Sequence, residues 1–81
     1  MRLDGRTHPA VEPIAVDATH AASMFDMSAR TWRRWNSAGL IPLPSRCGGK
    51  VLWRVSELKA WADAGMPPRE VWVQHRSQEL N

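Results

Sequence analysis

The chain has 81 residues and a net charge of +3, with five tryptophans, one phenylalanine and no tyrosine. This length allows one small domain, whose core we expect to be dense because each indole can bury about 150–250 Å². The single Cys47 excludes an internal disulfide, and the three histidines lack metal-ligand spacing. No apolar run reaches the roughly 18 residues of a membrane span, so we expect a soluble, cytoplasmic protein.

The basic residues are concentrated in one block of the chain. Residues 27–59 contain seven Lys or Arg against one Glu, a net charge of +6, whereas residues 1–26 carry −2 and residues 60–81 carry −1. Such a block favours a polyanionic partner, with an ordinary solvated surface as the alternative.

The first predicted elements are two helices joined by a tight turn. A flexible N-terminal arm, residues 1–14, contains Gly and Pro and has no periodic apolar pattern. Asp17 is a good N-cap for a helix of about eight residues with a small apolar face. After the sequence DMS, Ser28 caps a second helix, residues 29–38, which ends at Gly39.

A hairpin and a third helix are predicted next. Pro42 and Pro44 prevent further helix, and Gly48-Gly49 supplies the positive φ angles of a two-residue hairpin turn. Ser56 is predicted to cap a third helix, which ends at Gly65 and whose apolar face comprises Leu58, Trp61 and Ala62. Residues 15–66 thus form the predicted domain. Residues 67–81 form a C-terminal short helix whose Val71, Trp72 and His75 either fold back onto the core or contact a neighbouring protomer.

The second helix separates its arginines from its tryptophans. At about 100° per residue, Arg30, Arg33 and Arg34 fall in one arc of about 100°, with Trp32 and Trp35 opposite. We therefore expect the indoles in the core. No acidic residue of the helix pairs with the arginines at i±3 or i±4.

An arginine-bearing helix N-terminus suits DNA. Its free N–H groups favour phosphate, and arginine can form bidentate bonds with guanine in the major groove. Because Arg46, Lys50 and Arg54 follow in the hairpin, the hairpin is predicted to contact phosphate or minor groove beside the helix, with simple solubility as the alternative. Helix, tight turn and basic helix form the helix-turn-helix arrangement.

The stretch MSARTWRRWNSAGLIP resembles the helix-turn-helix of the MerR superfamily, and PLPSRCGGKVLWRVSELKAW is similar to its AlpA-like and excisionase branch. The resemblance implies a single-domain winged helix-turn-helix, mainly α with a small β-hairpin. It further implies that Ser28 and Thr31 touch phosphate and cap the helix, that Arg30 and Arg33 face the groove, and that Arg34 contacts base edges or backbone. Trp32 takes the family's buried apolar position. The long dimerisation helix and effector site of full MerR regulators are not found here, so no small-molecule effector is expected.

The resemblance implies a bacterial, phage or mobile-element DNA-binding protein, acting either as an excision factor in recombination or as a small transcriptional regulator. Its expected partners are double-stranded DNA, further copies on adjacent sites and an integrase. The rival hypothesis is a protein-assembly module with an exposed patch of Trp53, Trp61 and Trp72. An enzyme is the weakest hypothesis, because Cys47 has no histidine beside it and CGGK lacks P-loop spacing; no cofactor or metal is expected.

Overall fold

The computed structural model of the chain covers residues 12–80, with side chains described for residues 12–77. Four helices and a small antiparallel sheet make up the fold, as the prediction of a mainly α protein with a hairpin requires. The predicted arm, residues 1–14, lies almost entirely outside the described residues. The elements in chain order are β1 (Ala15–Val16), α1 (Ala18–Met24), α2 (Ala29–Ser37), β2 (Ser45–Cys47), β3 (Lys50–Arg54), α3 (Val55–Asp63) and α4 (Arg69–Leu80).

Side-chain caps and a tight turn define α1 and α2. The Asp17 carboxylate accepts a hydrogen bond from the His20 amide at 3.0 Å, and Ser28 Oγ accepts one from the Thr31 amide at 3.1 Å. Between the helices Asp26 adopts a left-handed φ of 59°, which aspartate tolerates better than most residues. The N-caps predicted for α1 and α2 are therefore confirmed.

Glycines end α2 and turn the hairpin. Gly39, with φ of 75°, follows α2, and the Leu40 amide donates back to the Trp35 carbonyl at 3.0 Å. Gly48 and Gly49 have φ of 57° and 83°, which allows a two-residue turn between β2 and β3. The predicted hairpin is thus confirmed.

The sheet contains a strand that the sequence pattern did not indicate. Its order is β1-β3-β2, with Ala15 opposite Arg54. The Val55 amide donates to the Ile14 carbonyl at 2.9 Å, so α3 begins at Val55. The prediction that Ser56 caps this helix is therefore wrong. The N-cap is Arg54, and the first N–H group of the helix, that of Val55, bonds to Ile14 instead of to a capping side chain. Ala62, predicted on the apolar face, is exposed.

Tryptophans build the core. Trp32 is fully buried, stacks on Phe25 at 5.4 Å between ring centroids, and meets Trp53 and Trp61 edge to face. The indole N–H groups of Trp53 and Trp61 donate to backbone carbonyls of Pro42 and Pro67, each at 2.8 Å. The Trp32 indole N–H has no hydrogen-bond partner within the described part of the chain. The buried hydrophobic residues are Val16, Ala21, Ala22, Trp32, Ile41, Trp53, Leu58, Trp61 and Trp72.

Helix α4 folds back onto this core. Trp72 is only 2% exposed, and its indole N–H donates to Glu57 Oε2 at 3.0 Å. Arg76 Nη1 donates to the same oxygen at 2.7 Å. Val71 is about half exposed, and the exposed His75 stacks on Trp72. Trp72 therefore folds back onto the core, which is the first of the two alternatives left open for the C-terminal residues.

Burial also corrects the expectation of an exposed tryptophan patch. Trp53, Trp61 and Trp72 are each 2% exposed or less. They are core residues and form no exposed patch, because each ring packs inside the fold and each indole N–H donates to an internal acceptor. None of the helices described for this chain is both long and apolar enough to cross a bilayer.

Candidate nucleic-acid interface

Helix α2 presents a cationic face to solvent. The two faces predicted from the helical period are confirmed. Trp32 is buried and Trp35 is half-buried, whereas Arg30, Arg33 and Arg34 are all exposed. The packing of Trp32 against Phe25, Trp53 and Trp61 fixes the rotation of the helix about its axis. The aromatic core thereby directs the three guanidinium groups outward.

The hairpin extends this cationic surface. Arg46 on β2 and Lys50 at the start of β3 are exposed. Arg33 and Arg46 line one cleft of about 390 Å³ between α2 and the hairpin, together with Asn36 and Ser37 from the last turn of α2. The structure therefore brings one arginine from α2 and one from the hairpin to the same cleft.

The cations of this surface have no ion-pair partner among the residues that the structure describes. Within the described residues, Arg30, Arg33, Arg34, Arg46 and Lys50 make no ion pair, although the Asp17 carboxylate also lines the cleft. That carboxylate caps α1 through the His20 amide and is itself largely exposed. Like charges on one face repel one another, a cost that an anionic partner relieves.

The remaining predicted site residues fall into two groups. Ser28 Oγ donates to Thr31 Oγ1 at 3.1 Å while it caps α2, so both hydroxyls lie at the N-terminus of the arginine helix. Arg54 lies at the far end of β3, where its guanidinium is 4.0 Å from the Glu57 carboxylate. The structure thus places Arg54 at the start of α3, beside a partial counter-charge.

Asn36 and Arg69 belong to this region, and sequence reasoning missed both. Arg69 on α4 donates to Asn36 Oδ1 at 2.7 Å, to the Asn36 carbonyl at 3.0 Å and to the Ile41 carbonyl at 3.0 Å. Asn36 also lines the cleft of Arg33 and Arg46. No local pattern could have revealed this contact, because the two residues lie on helices separated by the hairpin and α3.

An apolar cavity lies on the other side of α2. It has a volume of about 520 Å³ and is lined by no charged side chain. Trp35 and Leu40 contribute to it from α2 and its end, and Trp61 and Met66 from α3 and the turn that follows. The faces of α2 therefore differ sharply in chemistry, one cationic and one aromatic.

Among the described residues no group of three or more His, Cys, Asp or Glu side chains could hold a metal ion, and Cys47 is exposed on the hairpin. Comparison with protein-family models, with curated proteins and with solved structures gives no match to this chain. The cationic surface of α2 and the hairpin is therefore the feature that bears on function.

Proposed function

We propose that this protein binds duplex DNA as a winged helix-turn-helix, with α2 in the major groove and the β2–β3 hairpin as the wing. The observation that carries the proposal is the cleft that Arg33 of α2 and Arg46 of the hairpin both line. A helix and a hairpin that share one cationic cleft can follow a single phosphate backbone at the edge of a groove. Helix readout of base edges beside wing contacts is typical of winged DNA-binding domains.

The roles of the cations follow from their places. Arg30 and Arg34 are one helical turn apart on the exposed face of α2, where guanidinium groups can reach guanine O6 and N7. Arg33 and Arg46 face the cleft and suit a phosphate, while Lys50 beside the hairpin turn suits phosphate or the minor groove. The dipole of α2 adds positive potential near its N-terminus, where Ser28 and Thr31 lie.

The biological role we propose is that of an excisionase or AlpA-type accessory protein, in recombination or at a promoter, as the sequence resemblance implies. A single module of this kind buries about 600–1,000 Å² on DNA. That area gives modest specificity, so we expect the protein to act in tandem copies or beside an integrase.

The test is duplex binding by fluorescence anisotropy across a salt series. If the five cations without an ion pair in the described part of the chain (Arg30, Arg33, Arg34, Arg46 and Lys50) all neutralised phosphates, the slope of log K against log salt would be about −4.5, and base contacts would make it shallower. Arg33→Ala and Arg46→Ala should each reduce the magnitude of the slope by about 0.9. Lys59→Ala is the matched control, because this exposed lysine lies on α3 near Glu12, outside the cleft.

The results separate DNA binding from protein assembly. Salt-dependent binding that Arg33→Ala and Arg46→Ala weaken, and Lys59→Ala leaves nearly unchanged, supports the proposal. A wild-type chain that does not bind duplex at low salt refutes it. Self-association insensitive to salt and abolished by Trp35→Ala would instead favour assembly through the apolar cavity, since burial of apolar surface depends little on ionic strength.

A further inference from the structure

We infer that Asn36 contacts the DNA backbone through its side-chain amide, and that Arg69 is the positioning residue that orients this amide. The inference rests on the proposed DNA-binding function and extends it to two residues outside the basic face. Of the residues that the structure describes, Asn36 is the one that both binds Arg69 and lines the cleft of Arg33 and Arg46. It links α4 to the cationic surface.

Arg69 is held firmly against the end of α2. Its backbone amide donates to the Gly39 carbonyl at 3.0 Å, and its guanidinium binds Asn36 and the Ile41 carbonyl. Trp72, one turn further along α4, is buried in the core. The backbone bond and the buried Trp72 therefore fix the start of α4, and three hydrogen bonds hold the guanidinium against Asn36 and Ile41.

The chemistry of arginine decides which way the asparagine amide faces. A guanidinium group only donates hydrogen bonds, so the Asn36 atom 2.7 Å from Arg69 is the acceptor Oδ1. The NH₂ group, Nδ2, is then the part of the amide that Arg69 leaves for another partner. Because Asn36 lines the cleft, we assign that partner to a ligand held there.

This orientation also defines the ligand. With Oδ1 engaged, Asn36 cannot form the bidentate pair with adenine that needs both amide atoms. It remains a donor only. The cleft around it is lined by two arginines and one carboxylate, that of Asp17, so its formal charge is positive and suits an acceptor that carries negative charge. We therefore assign it a phosphate oxygen of the DNA backbone, shared with Arg33 and Arg46.

The experiment measures duplex affinity and salt slope for Asn36→Ala, Arg69→Ala, the double variant and Arg69→Lys. Asn36→Ala removes one neutral hydrogen bond and should weaken binding about two- to tenfold. The salt slope should stay unchanged, because this substitution removes no charge from the interface. Arg69→Ala should weaken binding with the slope unchanged, and the double variant should bind no more weakly than the weaker single variant. Arg69→Lys, which keeps a donor for Oδ1, should recover part of the loss.

Arg76→Ala serves as the control for general loosening of α4, because Arg76 binds Glu57 and not the end of α2. Binding is measured below the unfolding temperature of every variant. In a ¹⁵N spectrum of the wild type, the Asn36 side-chain NH₂ signals should shift on addition of duplex. This readout does not respond to stability alone.

The outcomes distinguish the inference from the proposed function. A wild-type chain that fails to bind duplex refutes both. If the wild type binds and Asn36→Ala binds equally well, only the inference falls. A slope reduced by about 0.9 in Arg69→Ala would show that Arg69 itself contacts phosphate, and additive losses in the double variant would show that it does not act through Asn36; either result overturns its positioning role.

Discussion

Three buried tryptophans offer a direct test of how the core is held together. Trp32, Trp53 and Trp61 are 0%, 2% and 1% exposed, so replacement by Phe removes a similar volume at each position. The three residues differ in the hydrogen bonding of their indole N–H groups. The N–H groups of Trp53 and Trp61 donate to backbone carbonyls, whereas the N–H group of Trp32 has no hydrogen-bond partner in the described chain.

The expected losses of stability follow from that difference. The loss of apolar contact is similar at the three sites, but Trp53→Phe also leaves the carbonyl of the fully buried Pro42 without its donor, which costs about 1–3 kcal/mol. Trp61→Phe costs less on this count, because Pro67 is only half-buried and water can reach it. Trp32→Phe removes an N–H whose burial was already unfavourable. We expect the free energy of unfolding of Trp32→Phe to exceed that of Trp53→Phe by about 2 kcal/mol.

Thermal unfolding followed by far-ultraviolet circular dichroism measures this difference. For a domain of this size about 1 kcal/mol corresponds to 4–8 °C, so the midpoints of Trp53→Phe and Trp32→Phe should lie about 8–16 °C apart. Trp61→Phe should fall between them. A midpoint for Trp32→Phe at or below that of Trp53→Phe would refute the reasoning, because packing rather than hydrogen bonding would then set the order.

Three further predictions concern the helix caps, α4 and the hairpin. Ser28→Ala should lower the free energy of unfolding by about 1 kcal/mol in urea titrations, because the Thr31 amide loses its acceptor; an unchanged midpoint would contradict the observed cap. Trp72→Ala should cost about 3–5 kcal/mol, while Val73→Ala on the exposed side of α4 should stay within about 0.5 kcal/mol, and equal small effects would mean that α4 does not contribute to the core. Maleimide should label Cys47 in the folded protein, and saturating duplex should slow that labelling; undiminished labelling would place the hairpin away from DNA.

Local signals in the sequence predicted the local structure well. Asp17, Ser28 and Gly39 act within three or four residues, so their roles at the ends of α1 and α2 follow from backbone chemistry alone. The outward rotation of the arginines of α2 was predictable for the same reason, since the helical period and the placement of two indoles decide it.

The features that were missed depend on contacts between distant parts of the chain. Strand β1 has two residues and exists because it pairs with β3. Next to this pairing the Val55 amide bonds to Ile14, and the N-cap of α3 is Arg54 rather than the expected Ser56. Asn36 within α2 resembles any polar residue on a helix surface. Only the position of Arg69 on α4 reveals what its amide is bonded to.

The pairing of β1 with β3 has a consequence for the order in which the chain folds. Ala15 and Arg54 enclose α1, α2 and the whole hairpin between them, so their pairing closes a long loop and carries the corresponding entropic cost. The α1–α2 turn and the hairpin, by contrast, join neighbouring residues and can form early. We therefore expect β1 to dock last, so that the first turn of α3, whose Val55 amide depends on Ile14, becomes protected from solvent only when the N-terminal strand is in place.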